Sequence, residues 1–181
     1  MSRWDGTHEN LQRAALELFA ANGYDRTSTA QIADRAGVSE MTLFRHFASK
    51  EALLLDDPFD PLIADAVASR PSDEGPVAAV VAAVRDTWTQ FDEATLNGLR
   101  DRLRIVAATP VLRGAVERNS ARSSEAIVSA LGARGISHRR ARVTAAAVIA
   151  ALSAALVHWA EYDDTSIAQA IGDALDVLSG D

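Results

Sequence analysis

The chain has 181 residues, no cysteine and a formal net charge of −7. The missing thiols exclude disulfide scaffolds, zinc fingers and thiol catalysis, while the length is enough to bury a core in one domain or two. The acidity is uneven: residues 1–50 carry six basic side chains (Arg3, Arg13, Arg26, Arg35, Arg45, Lys50) against six acidic ones, so the whole excess lies in residues 51–181. A nucleic-acid partner therefore stays open, because a neutral head holds phosphates when its few cations and helix N-termini face the duplex. Met1-Ser2-Arg3-Trp4-Asp5 lacks the apolar run of a secretory signal, which predicts a cytoplasmic protein.

Alternating β-branched runs are absent and Ala, Leu, Arg and Glu dominate, so the expected fold is all-α. A first helix is expected from near Thr7, with Leu11, Ala14, Ala15, Leu18 and Phe19 on one stripe and Gly23 as its stop. Ser28-Thr29-Ala30-Gln31 has the spacing of a capping box and opens a second helix with Ile32, Ala33 and Ala36 inward. Gly37 ends it, and Ser39 caps a third helix, Glu40 to Phe47, anchored by Leu43 and Phe47. Two short helices joined by so tight a turn read as a helix-turn-helix, with Ala33 permitting close approach and glycine supplying positive φ. Ser49 caps a fourth helix, which Pro58 and Pro61 interrupt, marking the joint between an N-terminal domain (1–54) and a C-terminal domain (55–181). Beyond it helices are expected at 62–69, 76–94, 96–108, 110–133, 138–161 and 165–179, divided by Pro-, Gly- and Asp-rich breaks.

Residues 7–54 resemble the DNA-binding domain of the TetR family, most densely from Gly23-Tyr24 through Thr27 to Ser39 and from Thr42-Leu43-Phe44-Arg45-His46-Phe47 to Leu53. The resemblance implies an N-terminal three-helix DNA-reading domain, a helical sensor and dimerisation domain behind it, and no cofactor. It places the third helix in the major groove. There Glu40 would accept from a cytosine amino group, and the methyls of Met41 and Thr42 would meet thymine methyls. Thr29, His46 and Lys50 match positions that hold the DNA backbone, and Arg45 would reach a phosphate or a guanine. The plainer alternatives are a solvated lysine at Lys50, the only one in the chain, and an uncommitted arginine at Arg45. Phe44 departs from the family, where a tyrosine usually offers a hydroxyl to a phosphate, so packing alone is an equal reading of it. Ala30 cannot make the base contact of a longer side chain.

Thr42 to Phe47 followed by Asp56-Asp57-Pro58 also looks like the subgroup whose sensor domain takes acyl-CoA-like molecules, including mycofactocin-type regulators. Phe59, Trp88 and Phe91 are then candidates to line an apolar pocket, and Arg100, Arg102 and Arg104 to meet an anionic group of the effector. Core aromatics and a solvated arginine face are the simpler alternative. The apolar run Val143 to Val157 follows Arg139, Arg140 and Arg142 and is too short for an ordinary membrane span of about 20 residues. It should be buried in protein, either within the monomer or, as the resemblance implies, in a dimer interface of the last two helices, where Ala145, Ala146, Ala147, Ala150, Ala151, Ala154 and Ala155 allow close approach.

An enzyme needs a nucleophile, an acid-base pair or a metal. The four histidines supply none: His8 and His46 fall in the DNA-binding region, and His158 with Glu161 makes only two ligands. No phosphate-binding glycine loop or nucleophile elbow is present. The function expected is therefore a sequence-specific repressor, homodimeric, released from a palindromic operator by a small molecule. The alternatives are a helical adaptor that uses the same motif for protein contacts, and a ligand-independent or activating regulator.

Overall fold

The computed structural model describes residues 3–56, 59–90, 93–162 and 165–180, with backbone alone at Arg3, Phe59, Glu93 and Ala94. Among these residues every regular element is helical: α1 (Arg3–Asn22), α2 (Thr29–Arg35), α3 (Glu40–His46), α4 (Ala52–Leu55), α5 (Phe59–Ser69), α6 (Pro76–Trp88), α7 (Glu93–Ala107), α8 (Arg113–Ala133), α9 (His138–Glu161) and α10 (Ile167–Ser179). A short 3₁₀ turn, Pro110–Leu112, precedes α8.

Two compact units emerge, one of residues 1–56 and 101–115, the other of 57–100 and 116–181. The first is built around α1. Its stripe Leu11, Ala14, Ala15 and Phe19 is buried, as expected, and meets Ile32, Ala33 and Ala36 of the second helix and Leu43 and Phe47 of the third. Leu53, Leu54 and Leu112 close this core, and Leu18 is only partly buried beside it. Leu112, Ile105 and Val106 reach the core from far along the chain.

The turns follow their residue chemistry. Gly23 ends α1 at φ +85° and Gly37 stands between α2 and α3 at φ +71°, both in the left-handed region where a Cβ is penalised. Around Gly37, Val38 N–H donates to Ala33 O at 3.0 Å and Gly37 N–H to Asp34 O at 3.0 Å, which satisfies two carbonyls at the end of α2. Asn10 Nδ2 donates to Ala36 O at 2.8 Å and ties α1 to the same turn. An exposed Arg35–Glu17 pair at 2.6 Å adds little.

In the second unit α5 packs on α6, α6 on α9 and α10, and α9 on α10. Val80, Val84, Leu131, Val148 and Leu175 are among its fully enclosed side chains. Ser166 caps α10 by accepting from Gln169 N–H at 3.2 Å, and Gly180 closes that helix at φ +82°. Arg70 holds Glu74 at 2.5 Å and Asp86 at 3.2 Å, which raises the arginine and lowers the Glu74 carboxyl through the shared hydrogen bond.

Several boundaries differ from expectation. The first helix starts at Arg3, a turn before Thr7, because Trp4 and His8 extend the Leu11 stripe and find ring partners. The helix expected over 76–94 ends at Trp88, and the one expected from 96 begins at Glu93. The segment expected as one helix from 110 opens with the 3₁₀ turn, since Pro110 has no N–H to donate.

Candidate nucleic-acid interface

The second and third helices owe their positions to their caps. Ser28 Oγ accepts from Gln31 N–H while the Gln31 side chain accepts from Ser28 N–H at 2.8 Å, which completes the capping box expected from sequence. Ser39 Oγ accepts from Thr42 N–H at 3.2 Å, and the two hydroxyls share a 2.9 Å hydrogen bond. With Leu43 and Phe47 locked in the core, the opposite face of α3 turns to solvent. Met41 is 77% exposed and Phe44 49%, and Glu40 and Arg45 are exposed with them. Two large apolar side chains are thus left in water on a charged, capped helix.

Thr29, at the start of α2, donates to Glu40 Oε1 at 2.5 Å, so two of the expected DNA contacts are already joined to each other. Phe44 lines an open hollow of about 530 Å³ with Asp25, Arg26, Thr27, Ser28, Thr29, Ala48, Ser49 and Lys50. Ser49 Oγ accepts from Ala52 N–H at 3.3 Å, but the N-cap of α4 is Glu51, two residues beyond the serine expected there.

Lys50 is neither solvated nor wholly free. Its ammonium donates to Tyr24 O at 2.8 Å and Thr27 O at 2.9 Å and stands 4.0 Å from the centre of the Tyr24 ring. An ammonium has three donors, so one is left for an outside acceptor. Burial pushes the Tyr24 hydroxyl up to about 12, with Glu51 and Asp25 adding to the effect. His46, half-buried at the end of α3, stacks on Trp4 with ring centres 3.7 Å apart. Its pKa is lowered, first by burial and then by the neighbouring charges of His8 and Arg45. The Lys50 staple and the Trp4–His46 stack were missed from sequence. The signal for the second was present, because Trp4, His8 and Leu11 repeat at helical spacing.

Of the described side chains expected to meet an effector, two fall in the second unit and two in the first. Trp88 is half-buried at the end of α6, in the second unit. Phe91 lies outside the described residues, as does the Phe59 side chain. Arg100 belongs to the second unit, where it donates to Trp159 O at 2.9 Å and Tyr162 O at 3.0 Å and lies 4.8 Å from the Trp159 ring. It thus serves carbonyls at the end of α9. Arg102 and Arg104 fall in the first unit. Arg102 is buried and donates to Asp56 O at 3.0 Å, while Arg104 is exposed. Among the described residues no three His, Asp or Glu side chains come together as a metal site.

A capped, outward-facing helix set on a small core across a glycine turn is the arrangement of a helix-turn-helix DNA-binding transcriptional regulator. Residues 11–56 match the family of bacterial regulatory proteins, tetR family, and residues 74–180 match the MftR C-terminal domain. The chain belongs to the TetR family. It is 35% identical over 135 residues to the HTH-type transcriptional regulator TcmR of Streptomyces glaucescens, a match that covers 71% of this chain and 60% of TcmR. To MftR of Mycobacterium tuberculosis, named for the transcriptional regulation of mycofactocin biosynthesis, it is 28% identical over 180 residues, 95% of this chain and 89% of MftR. Among solved structures, FadR of Bacillus subtilis in complex with stearoyl-CoA has the same fold, with a TM-score of 0.56 and 19% identity over 94% of this chain and 96% of FadR.

Proposed function

We propose that this regulator is a homodimeric repressor that binds a palindromic operator through α3 and leaves it when an effector occupies the second unit. The observation that carries the reading is the exposed N-terminal face of α3: Glu40, Met41 and Thr42 follow a capping serine, and Met41 has no packing role to explain it. These three would read base edges. Thr29, Arg45, His46 and the remaining donor of Lys50 would hold the backbone, with Phe44 against the sugar-phosphate edge.

A second copy is supported by α9. Val143, Ala147, Ala150, Ala154 and Val157 are all exposed and recur at alternating spacings of four and three, the seam of a helix pair. The helix is long and apolar enough to cross a membrane, yet only a third of its most apolar window is buried within the protomer. A partner's α9 and α10 would cover that stripe in a four-helix bundle, with Val177 at its edge, and a two-fold protein suits a two-fold operator.

For the effector we favour an acyl-CoA-like molecule or another apolar, anionic ligand. The stearoyl-CoA bound by the similarly folded FadR supports that class. Trp88 is the described aromatic offered to it. Arg100 would have to leave the Trp159 and Tyr162 carbonyls to meet its anion, which makes the arginine the weaker part of the set. Release follows from linkage: an effector that prefers the conformer with the wrong head spacing weakens the operator by the factor the operator weakens it.

The test is an electrophoretic titration of a duplex selected by the protein, with and without stearoyl-CoA, alongside sedimentation of the free protein. Two protomers per duplex and release by the thioester support the reading. A monomer on the duplex removes the dimer, and unchanged affinity with saturating thioester removes this effector class.

A further inference from the structure

The first turn of α1 packs rings against the last turn of α3. Trp4 and His8 are one turn apart on α1. Trp4 stacks on His46 with centres 3.7 Å apart and planes 24° from parallel, and His8 stacks on Phe47 at 4.1 Å and 28°. His8 also tilts toward His46 at 5.9 Å. Phe47 is core, but Trp4 is 50% exposed, so its described ring contact is with His46 rather than with the apolar interior.

We propose that Trp4 is a positioning residue for DNA binding, whose indole holds the His46 imidazole at the end of α3 so that one fixed edge of the ring faces a backbone phosphate. This deepens the reading given above, in which His46 contacts the phosphate. The geometry fixes the edge. His46 Nδ1 is buried and has no hydrogen-bond partner, so a proton there would be an enclosed, unpaired donor. A neutral ring with its proton on Nε2 leaves only an unpaired acceptor at Nδ1 and no buried charge, and Nε2–H is then the donor available to a phosphate oxygen. The end of a helix ordinarily favours an imidazolium, yet burial wins here and the pKa falls. Of the charged groups around the ring, His8 on α1 and Arg45 on α3 both disfavour its protonation, while Asp5 and Glu9 of α1 are exposed to solvent.

The experiment compares wild type, Trp4→Ala, Trp4→Phe, His46→Ala and the Trp4→Ala/His46→Ala double variant. The His46 pKa is read by NMR in the free protein, and affinity is read on a mixed-sequence DNA duplex at low salt. Trp4→Ala should return His46 toward the ordinary histidine value and weaken the duplex roughly three- to tenfold, the size of an aromatic contact. Trp4→Phe should restore both. In the double variant the loss should equal that of His46→Ala alone, because Trp4 acts only through His46. If the His46 pKa does not move in Trp4→Ala, or if the two losses multiply, the positioning role is overturned while the DNA reading stands. If wild type binds no duplex at all, the DNA reading falls and takes the proposal with it.

Discussion

Lys50→Met keeps most of the methylene stem and removes only the ammonium, so it isolates the contacts to Tyr24 and Thr27. Two charge-assisted hydrogen bonds at 2.8 and 2.9 Å are lost, together with a cation–π contact at 4.0 Å. Bonds to charged groups contribute about 1.5–3 kcal/mol each and the ring contact about 0.5–1. Both bonds share one ammonium on a half-buried side chain, so they are not additive and the total falls below the sum of the separate contributions. The net expectation is a loss of about 2–3 kcal/mol in the first unit. Native-state hydrogen exchange of α2 amides measures it locally, since α2 follows directly on the stapled segment. Opening free energies unchanged within about 0.5 kcal/mol would refute the staple and return Lys50 to a free surface cation. The consequence for DNA is practical: a lysine variant changes the platform as well as any phosphate contact, so its affinities need comparison at matched stability.

Ser39→Ala removes the cap of α3 and should cost about 1 kcal/mol in urea unfolding. It should also loosen Thr42, whose N–H and hydroxyl both meet Ser39. Met41→Ala should leave stability within about 0.5 kcal/mol because the side chain is 77% exposed, yet it should change base preference in a selection from mixed duplexes. Tyr24 sets a pH dependence. Its folded pKa of about 12 lies above the ordinary tyrosine value of 10.0, so the neutral phenol is the form the fold prefers. Its contribution is full below pH 10.0 and is lost as pH rises through about 12, which the difference between wild-type and Tyr24→Phe unfolding should register.

The reading head was legible because local chemistry determines it. Ser28 with Gln31, Gly37 and Ser39 each satisfy a specific backbone requirement, and the apolar stripes of α1, α2 and α3 follow helical spacing. What stayed hidden was long-range. Nothing in sequence marks Leu112, Ile105 and Val106 as part of the first core, because the rest of that core lies roughly 50 to 100 residues away along the chain. The Lys50 staple was equally hidden, since it uses main-chain carbonyls, which leave no trace in residue identity. Arg100, Arg102 and Arg104 illustrate the converse. A basic row suggests an anion site, and nothing in residue identity shows that Arg100 and Arg102 also serve main-chain carbonyls, while Arg104, four residues from Arg100, shares its helix face.

The most direct test of the central claim is selection from a library of random duplexes at two salt concentrations, with wild type and Thr42→Ala in parallel. The account predicts enrichment of one palindrome, whose half-sites lie about one helical turn or a multiple of it apart, with Thr42→Ala relaxing the same position in each half. A folded wild-type protein that enriches no sequence, with an indistinguishable Thr42→Ala variant, would contradict it.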